Sequence, residues 1–181
     1  MSLGADFNRV LAAAKTGAEW AWAAIYRDLA GPVTGYLAVH GAAEPDELAS
    51  EAFLQAVRDI GSFEGDESGF RSWLFVIAHR RLVDSWRAAG RRPQLSMPMD
   101  TVPEREGGNA EEEALERLVT SEFLSASQKL TDEQRAVLAL RIIGNLSLAE
   151  TAKVLDRGVG AVKSLQRRAL LALQGTFEHT E

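Results

Sequence analysis

The most informative stretch of the sequence, residues 146–170, reads LSLAETAKVLDRGVGAVKSLQRRAL. Ser147, followed three residues later by Glu150, is typical of a helix start, and it predicts a short helix over 148–155. Gly158 then permits a tight turn, and apolar residues at helical spacing predict a second helix over about 159–173. Two short helices joined by a three- or four-residue turn form a helix-turn-helix. This part of the chain is therefore predicted to be helical and to bind DNA.

The second of these helices would lie in the major groove with its polar face toward the bases. Lys and Arg can neutralise phosphates, while Arg, Gln and Ser can also read base edges. Residues 157–177 hold four basic residues and no acidic one. The predicted DNA-contacting residues are Arg157, Lys163, Ser164, Gln166, Arg167 and Arg168. The alternative is an ordinary helical hairpin with a basic solvent face, which the turn spacing, the cap and the missing acids make the weaker interpretation.

The charge distribution agrees with a local DNA contact. The 181 residues carry a net charge of −6, but residues 127–181 hold 8 basic and 6 acidic side chains, a net charge of +2. An acidic chain with a basic C-terminal helix is expected to touch DNA at that helix and not to bind polyanions in general.

The rest of the chain also predicts helices, and no convincing strand pattern occurs. Helical spacing of apolar residues predicts helices over 6–16, from 18 onward, over 45–60 and over 70–89, with Gly31-Pro32 interrupting or bending the second. Val57 belongs to the predicted buried stripe of the third, and residues 61–69 form a polar loop. Thr131 with Gln134 predicts a capping box. The fold class is all-α, with two small helical domains over 1–90 and 113–181 joined by a flexible linker over 91–112, which holds three prolines.

Residues 130–138, 148–155 and 160–169 resemble region 4 of the bacterial extracytoplasmic-function sigma factors, the smallest group of the sigma-70 family. LuxR-like regulators end in a similar motif, so the N-terminal half decides between the two. DELASEAFL at 46–54 is similar to the region 2 helix that docks on the RNA polymerase clamp. FRSWLFVIAHRRLVDSWR at 70–87 resembles the helix that melts and reads the −10 promoter element. The chain departs from the usual pattern at Ser50 (commonly Gln), Arg81 (commonly Asn) and Leu165 (often basic).

The resemblance implies roles for three sets of residues. Region 4 would read the −35 element with the predicted DNA-contacting residues of the helix-turn-helix. Loop 61–68 would form a pocket for an unpaired base of the −10 element. The residues expected at the −10 element are Phe63, Arg71, Arg80, Arg81, Asp84 and Arg87. The residues expected to dock on the polymerase are Asp46, Glu47, Ser50, Glu51, Phe53 and Leu54.

Each set has a structural alternative. Arg80, Asp84 and Arg87 have the spacing of a surface ion-pair ladder. The acidic residues at 46–51 fit a solvated helix face, and Trp73 and Trp86 fit a core. The linker is either a tether or, by resemblance, a segment that enters the polymerase RNA exit path, where Asp100, Glu104 and Glu106 would mimic nucleic-acid charge.

The expected partners are core RNA polymerase, promoter DNA and an anti-sigma factor, in the cytoplasm and without membrane insertion. No enzyme activity, cofactor, metal or small-molecule substrate is expected, because there are no cysteines and His40, His79 and His179 lie far apart in sequence. Two other classes stay open: a stand-alone dimeric regulator with symmetric half-sites, and a protein whose basic helix binds an acidic partner. We also expect the two domains to pack together in the free protein.

Overall fold

The computed structural model of the protein describes residues 3–90, 120 and 122–177, with side chains as far as 174. Within those ranges every regular element is an α-helix or a short 3₁₀ helix, so the all-α prediction is confirmed. The predicted linker, with Asp100, Glu104 and Glu106, and the helix start at Glu111 lie outside the described ranges. The principal α-helices of these ranges are α1 (Phe7–Lys15), α2 (Glu19–Val39), α3 (Pro45–Asp59), α4 (Glu67–Ala88), α5 (Asp132–Ile142), α6 (Leu148–Val154) and α7 (Val159–Phe177).

Helix α2 runs unbroken through Pro32, so the predicted interruption at Gly31-Pro32 is wrong. A proline inside a helix removes one backbone hydrogen bond and costs about 3 kcal/mol. The residues after it, 33–39, are all buried, and Ile25, Leu29 and Val33 are at most 2% exposed. Burial on almost every side of the helix outweighs the local cost of the proline.

Local capping signals place several helix ends. Thr131 and Gln134 form the predicted capping box at the start of α5, and Ser147 and Glu150 form the second one at the start of α6. The Asp66 carboxylate accepts a hydrogen bond from the Gly69 backbone at 2.8 Å. Because of this cap, α4 begins at Glu67, three residues earlier than predicted.

Helices α1 to α4 and the C-terminal helices share one hydrophobic core. Tyr36, Leu74 and Phe75 lie in the same cluster as Leu138, Leu140 and Leu146 from the C-terminal half. A smaller second cluster of Val137, Ala152, Val162 and Leu165 holds the helix-turn-helix together. The two halves are therefore packed against each other, as the sequence led us to expect.

A close approach between the two halves depends on a glycine. A Cβ atom added to Gly35 of α2 would lie 2.9 Å from Thr120 Oγ1 and 3.3 Å from Ile143 Cγ2. The three atoms nearest to that Cβ all belong to the C-terminal half. A second tie is polar, because the Ser68 hydroxyl at the start of α4 donates a hydrogen bond to the Glu150 carboxylate at the start of α6.

Candidate nucleic-acid interface

The helix-turn-helix consists of α6, a turn over 155–158 and α7. Leu165 and Val162 are 7% and 0% exposed, so they face inward, whereas Ala149 of α6 is exposed. The turn is closed by a hydrogen bond from the Arg157 backbone N–H to the Ala152 carbonyl at 2.9 Å. Asp156 adopts a left-handed backbone with φ of 50°. The small core at 137, 152, 162 and 165 thus fixes the angle at which α7 is presented.

Most of the predicted −35 residues form an accessible polar face on α7 and at its start. Lys163, Ser164, Arg167 and Arg168 are exposed, and Arg157 is exposed while pairing with Glu133. Gln166 is half-buried and accepts a hydrogen bond from Arg141 Nε at 3.2 Å. Five of the six side chains can therefore reach a ligand directly, while Gln166 also joins α7 to α5.

Glu150 serves both the helix-turn-helix and the contact with the N-terminal half. Its carboxylate accepts from the Ser147 backbone N–H at 2.6 Å, which caps α6, and from the Ser68 hydroxyl of α4. Burial acts to raise the pKa of Glu150, but these hydrogen bonds outweigh burial and the net pKa is lowered. The ionised carboxylate is thus the form that these donors stabilise.

The predicted −10 residues on α4 divide into exposed and engaged side chains. Arg80 is exposed, and Asp84 and Arg87 are an exposed ion pair at 3.1 Å, which is part of the surface ladder that their spacing predicts. Arg81 donates to Gln55 Oε1 at 3.1 Å and lies 3.7 Å from Glu51.

Arg71 is the most enclosed arginine of the −10 set. Its side chain is 14% exposed and pairs with Asp28 of α2 at 3.0 Å. Burial raises the pKa of Asp28, and the Arg71 charge opposes that rise. This arginine links α2 to α4, and in this arrangement it is less accessible to DNA than Arg80 or Arg87.

Phe63, also in the −10 set, lies in the core. It is 8% exposed, and its ring centroid is 5.3 Å from that of Phe70 and 5.2 Å from that of Trp73. The same loop exposes Gly61, Ser62, Glu64 and Asp66. The aromatic ring therefore anchors the loop, and these polar neighbours are the groups that face solvent.

The predicted docking residues lie along α3. Glu47, Ser50 and Leu54 are exposed and follow helical spacing, with Leu54 57% exposed. Asp46 and Glu51 are half-buried, and Phe53 is buried with its ring centroid 4.9 Å from that of Tyr26. Of the six predicted docking residues, only Glu47, Ser50 and Leu54 form a stripe that is exposed to solvent.

Two apolar side chains that were not predicted to be exposed lie at the surface of α2 and α3. Tyr26 is 42% and Val57 is 44% exposed. The assignment of Val57 to the buried stripe is wrong, because the apolar residues of α3 span a wider arc than its contact with α2 and α4 covers. The width of the apolar stripe on α3 was the signal in the sequence that could have predicted an exposed apolar residue.

Two of the three histidines meet at one tyrosine. Tyr36 Oη and His79 Nδ1 are hydrogen-bonded at 2.7 Å, and His40 Nδ1 bonds the Tyr36 carbonyl at 2.8 Å. Over residues 3–90 and 122–177, no group of three metal-ligating side chains occurs. The histidines thus form a polar link to Tyr36 in which His40 is buried and His79 is half-buried. In the same ranges, no helix has the length and apolar character needed to cross a membrane.

Comparison with known proteins agrees with the two-part organisation. Residues 22–92 match the family described as Sigma-70 region 2, and residues 128–175 match Sigma-70, region 4. The RNA polymerase sigma-H factor of Pseudomonas aeruginosa is 35% identical, with 77% of this chain and 76% of that protein covered. The ECF RNA polymerase sigma-E factor of Escherichia coli is 35% identical, with 73% of each chain covered.

A further relative and one solved structure are also similar to this chain. The ECF RNA polymerase sigma factor BldN of Streptomyces coelicolor is 33% identical over 76% of this chain, which spans about half (52%) of that relative's length. Among solved structures, CnrH in complex with the cytosolic domain of CnrY has the same fold, with a TM-score of 0.61, 22% identity and coverage of 95% of this chain and 97% of that one. The chain belongs to the sigma-70 family of RNA polymerase sigma factors, in its extracytoplasmic-function group.

Proposed function

We propose that this protein binds core RNA polymerase in the cytoplasm and directs it to promoters, with region 4 reading the −35 element and region 2 reading and opening the −10 element. The observation that carries the proposal is the acid-free basic face of α7, held by its own small core on the same chain as a second module with exposed arginines. In this proposal the protein has no catalytic role, because strand opening requires binding to unpaired bases and no covalent step.

Each module has a distinct part in the proposal. Lys163, Arg167 and Arg168 contact phosphates and base edges in the major groove at the −35 element. Arg80 and Arg87, with the exposed polar groups of loop 61–66, hold the separated strands at the −10 element. The stripe of Glu47, Ser50 and Leu54 on α3 docks on the polymerase, with Tyr26 and Val57 extending its apolar part.

The packed arrangement has a consequence for this function. Elements named −10 and −35 lie about 25 base pairs apart, roughly 85 Å along DNA at about 3.4 Å per base pair. A compact chain of 181 residues has a radius of gyration of roughly 16 Å. One packed molecule cannot touch both elements, so the two halves separate when the protein binds polymerase and promoter. An anti-sigma partner would hold the protein inactive by binding it in a state that polymerase cannot use.

The proposal is tested by transcription from a pool of linear templates whose −35 and −10 segments are randomised. Core polymerase from the source bacterium is combined with the purified protein, and the templates that yield run-off transcripts are sequenced. The expected result is enrichment of two short motifs at fixed spacing that core polymerase alone does not enrich. Transcripts without any motif would contradict the proposal. Enrichment of a palindrome by the protein without polymerase would favour the stand-alone regulator.

A further inference from the structure

Helix α1 contacts the loop that follows α3, although α1 lies before the residues that match Sigma-70 region 2. Lys15, the last residue of α1, donates a hydrogen bond from Nζ to the Phe63 carbonyl at 2.6 Å. Phe63 lies in the middle of loop 61–66, and its side chain is fixed in the core by Phe70 and Trp73. Both the carbonyl and the ring of this residue are therefore held.

The far side of the same loop is tied to the start of the chain. The Glu67 carboxylate, at the first position of α4, accepts hydrogen bonds from the Leu3 and Gly4 backbone N–H groups, each at 2.8 Å. The Phe7 ring of α1 lies 5.9 Å from that of Phe70, between centroids. The segment before residue 22 thus holds the loop at Phe63 and immediately after Asp66.

The charge of Lys15 also suits this position. Loop 61–66 contains Glu64 and Asp66, and Glu67 follows it at the first position of α4. Residues 61–67 include no basic residue, so this stretch repels a DNA phosphate unless a cation is close. The Lys15 ammonium supplies that cation at the middle of the loop. A pocket for an unpaired base needs fixed donors and acceptors, and a backbone held at its centre meets that need.

We propose that Lys15 is a positioning residue for −10 recognition: its ammonium fixes the Phe63 carbonyl, which orders loop 61–66, and offsets the negative charge of that loop. This inference rests on the proposed function of the loop in reading the −10 element. Lys15 contacts the loop backbone and need not touch DNA. It is therefore a determinant of −10 specificity that lies outside region 2.

The test compares holoenzymes made with the wild-type protein and with Lys15→Met, Lys15→Arg and Arg9→Met. Arg9→Met is the matched control, because it removes one positive charge from the same helix at a residue that pairs with Asp6 and lies over the Trp20 ring. Each holoenzyme transcribes the randomised template pool, and the sequence preferences at −35 and −10 are read from the same transcripts. Hydrogen exchange of the 61–66 backbone amides is measured on each free protein.

Lys15→Met is expected to lower the enrichment of the −10 motif by about ten-fold, the effect of losing one charge-assisted hydrogen bond, and to leave the −35 motif intact. It should also speed amide exchange in the loop. Lys15→Arg should stay near the wild type in both readouts, and so should Arg9→Met. A −10 motif and loop exchange unchanged by Lys15→Met would overturn the inference. Equal losses for Lys15→Met and Arg9→Met would also overturn it, since they would reveal only a general charge effect. If the wild type enriches no −10 motif, the proposed function itself fails.

Discussion

Replacing Gly35 with leucine is expected to separate the two halves of the free protein. The new side chain has no room, because its Cβ alone would lie 2.9 Å from Thr120 Oγ1 and 3.3 Å from Ile143 Cγ2. Overpacking a tight contact costs about 1–3 kcal/mol or more. Separation of the halves relieves that strain, although it also exposes the apolar side chains that the two halves share in one core. Small-angle scattering should give a radius of gyration clearly above the roughly 16 Å of a compact chain of 181 residues.

Gly160→Leu provides the matched control for this experiment. Gly160 lies in α7, and a Cβ added there meets nothing within 4 Å, so the same substitution should leave the radius of gyration unchanged. Far-UV circular dichroism shows whether Gly35→Leu keeps its helices. A Gly35→Leu protein that keeps both its helices and the wild-type scattering curve would contradict the glycine-dependent contact. The opened variant should still bind polymerase, because opening is the step that the proposed function requires.

The double substitution of Lys163 and Arg167 by alanine is expected to abolish most −35 recognition. Both side chains are exposed on α7, so removing them should cost the fold little and should act mainly on DNA binding. Losing two phosphate contacts should weaken binding of the holoenzyme to a −35 duplex about 10- to 100-fold and should reduce the salt dependence of log K by about two. Titrations at several salt concentrations, followed by fluorescence anisotropy, measure both effects.

The control for this pair removes two exposed positive charges elsewhere. Arg9 and Arg27 lie on α1 and α2, and alanine at both leaves the basic face of α7 intact. We expect this control to bind the −35 duplex almost as the wild type does. Comparable losses in the two double variants would show that binding depends only on net charge, and the assignment of α7 as the reading helix would then be wrong.

Local signals in the sequence predicted the parts of the fold that local chemistry determines. The capping boxes that begin at Thr131 and Ser147 satisfy backbone N–H donors within three residues. The residue types at these positions alone therefore indicate where α5 and α6 begin. Gly41, which follows the end of α2, adopts a φ of 71°, a conformation that favours glycine. The interruption predicted at Gly31-Pro32 was wrong because the burial that keeps α2 continuous through Pro32 is a tertiary effect.

The tertiary contacts and the burial of individual site residues could not be predicted from local signals in this way. Arg71 and Asp28 are 43 residues apart, and only the packing of α4 on α2 brings them together. Phe63 lies in a polar stretch that reads as a solvent loop, yet its ring fills a space beside Phe70. The close approach at Gly35 leaves no local signal, since a glycine within an apolar helix fits many environments. By contrast, the exposed face of α7 follows from helical spacing and was predicted except for the half-buried Gln166.

Binding to core RNA polymerase tests the central claim most directly. Purified protein is passed with core polymerase over a sizing column, beside Glu47→Lys with Leu54→Arg, and beside Glu19→Lys, which makes the same charge reversal at an exposed residue of α2. We expect the wild type and Glu19→Lys to co-elute with the polymerase and the double variant to elute alone. Failure of the wild type to co-elute, or co-elution of all three proteins alike, would contradict the account: the first result would reject the sigma function, and the second would reject α3 as the docking face.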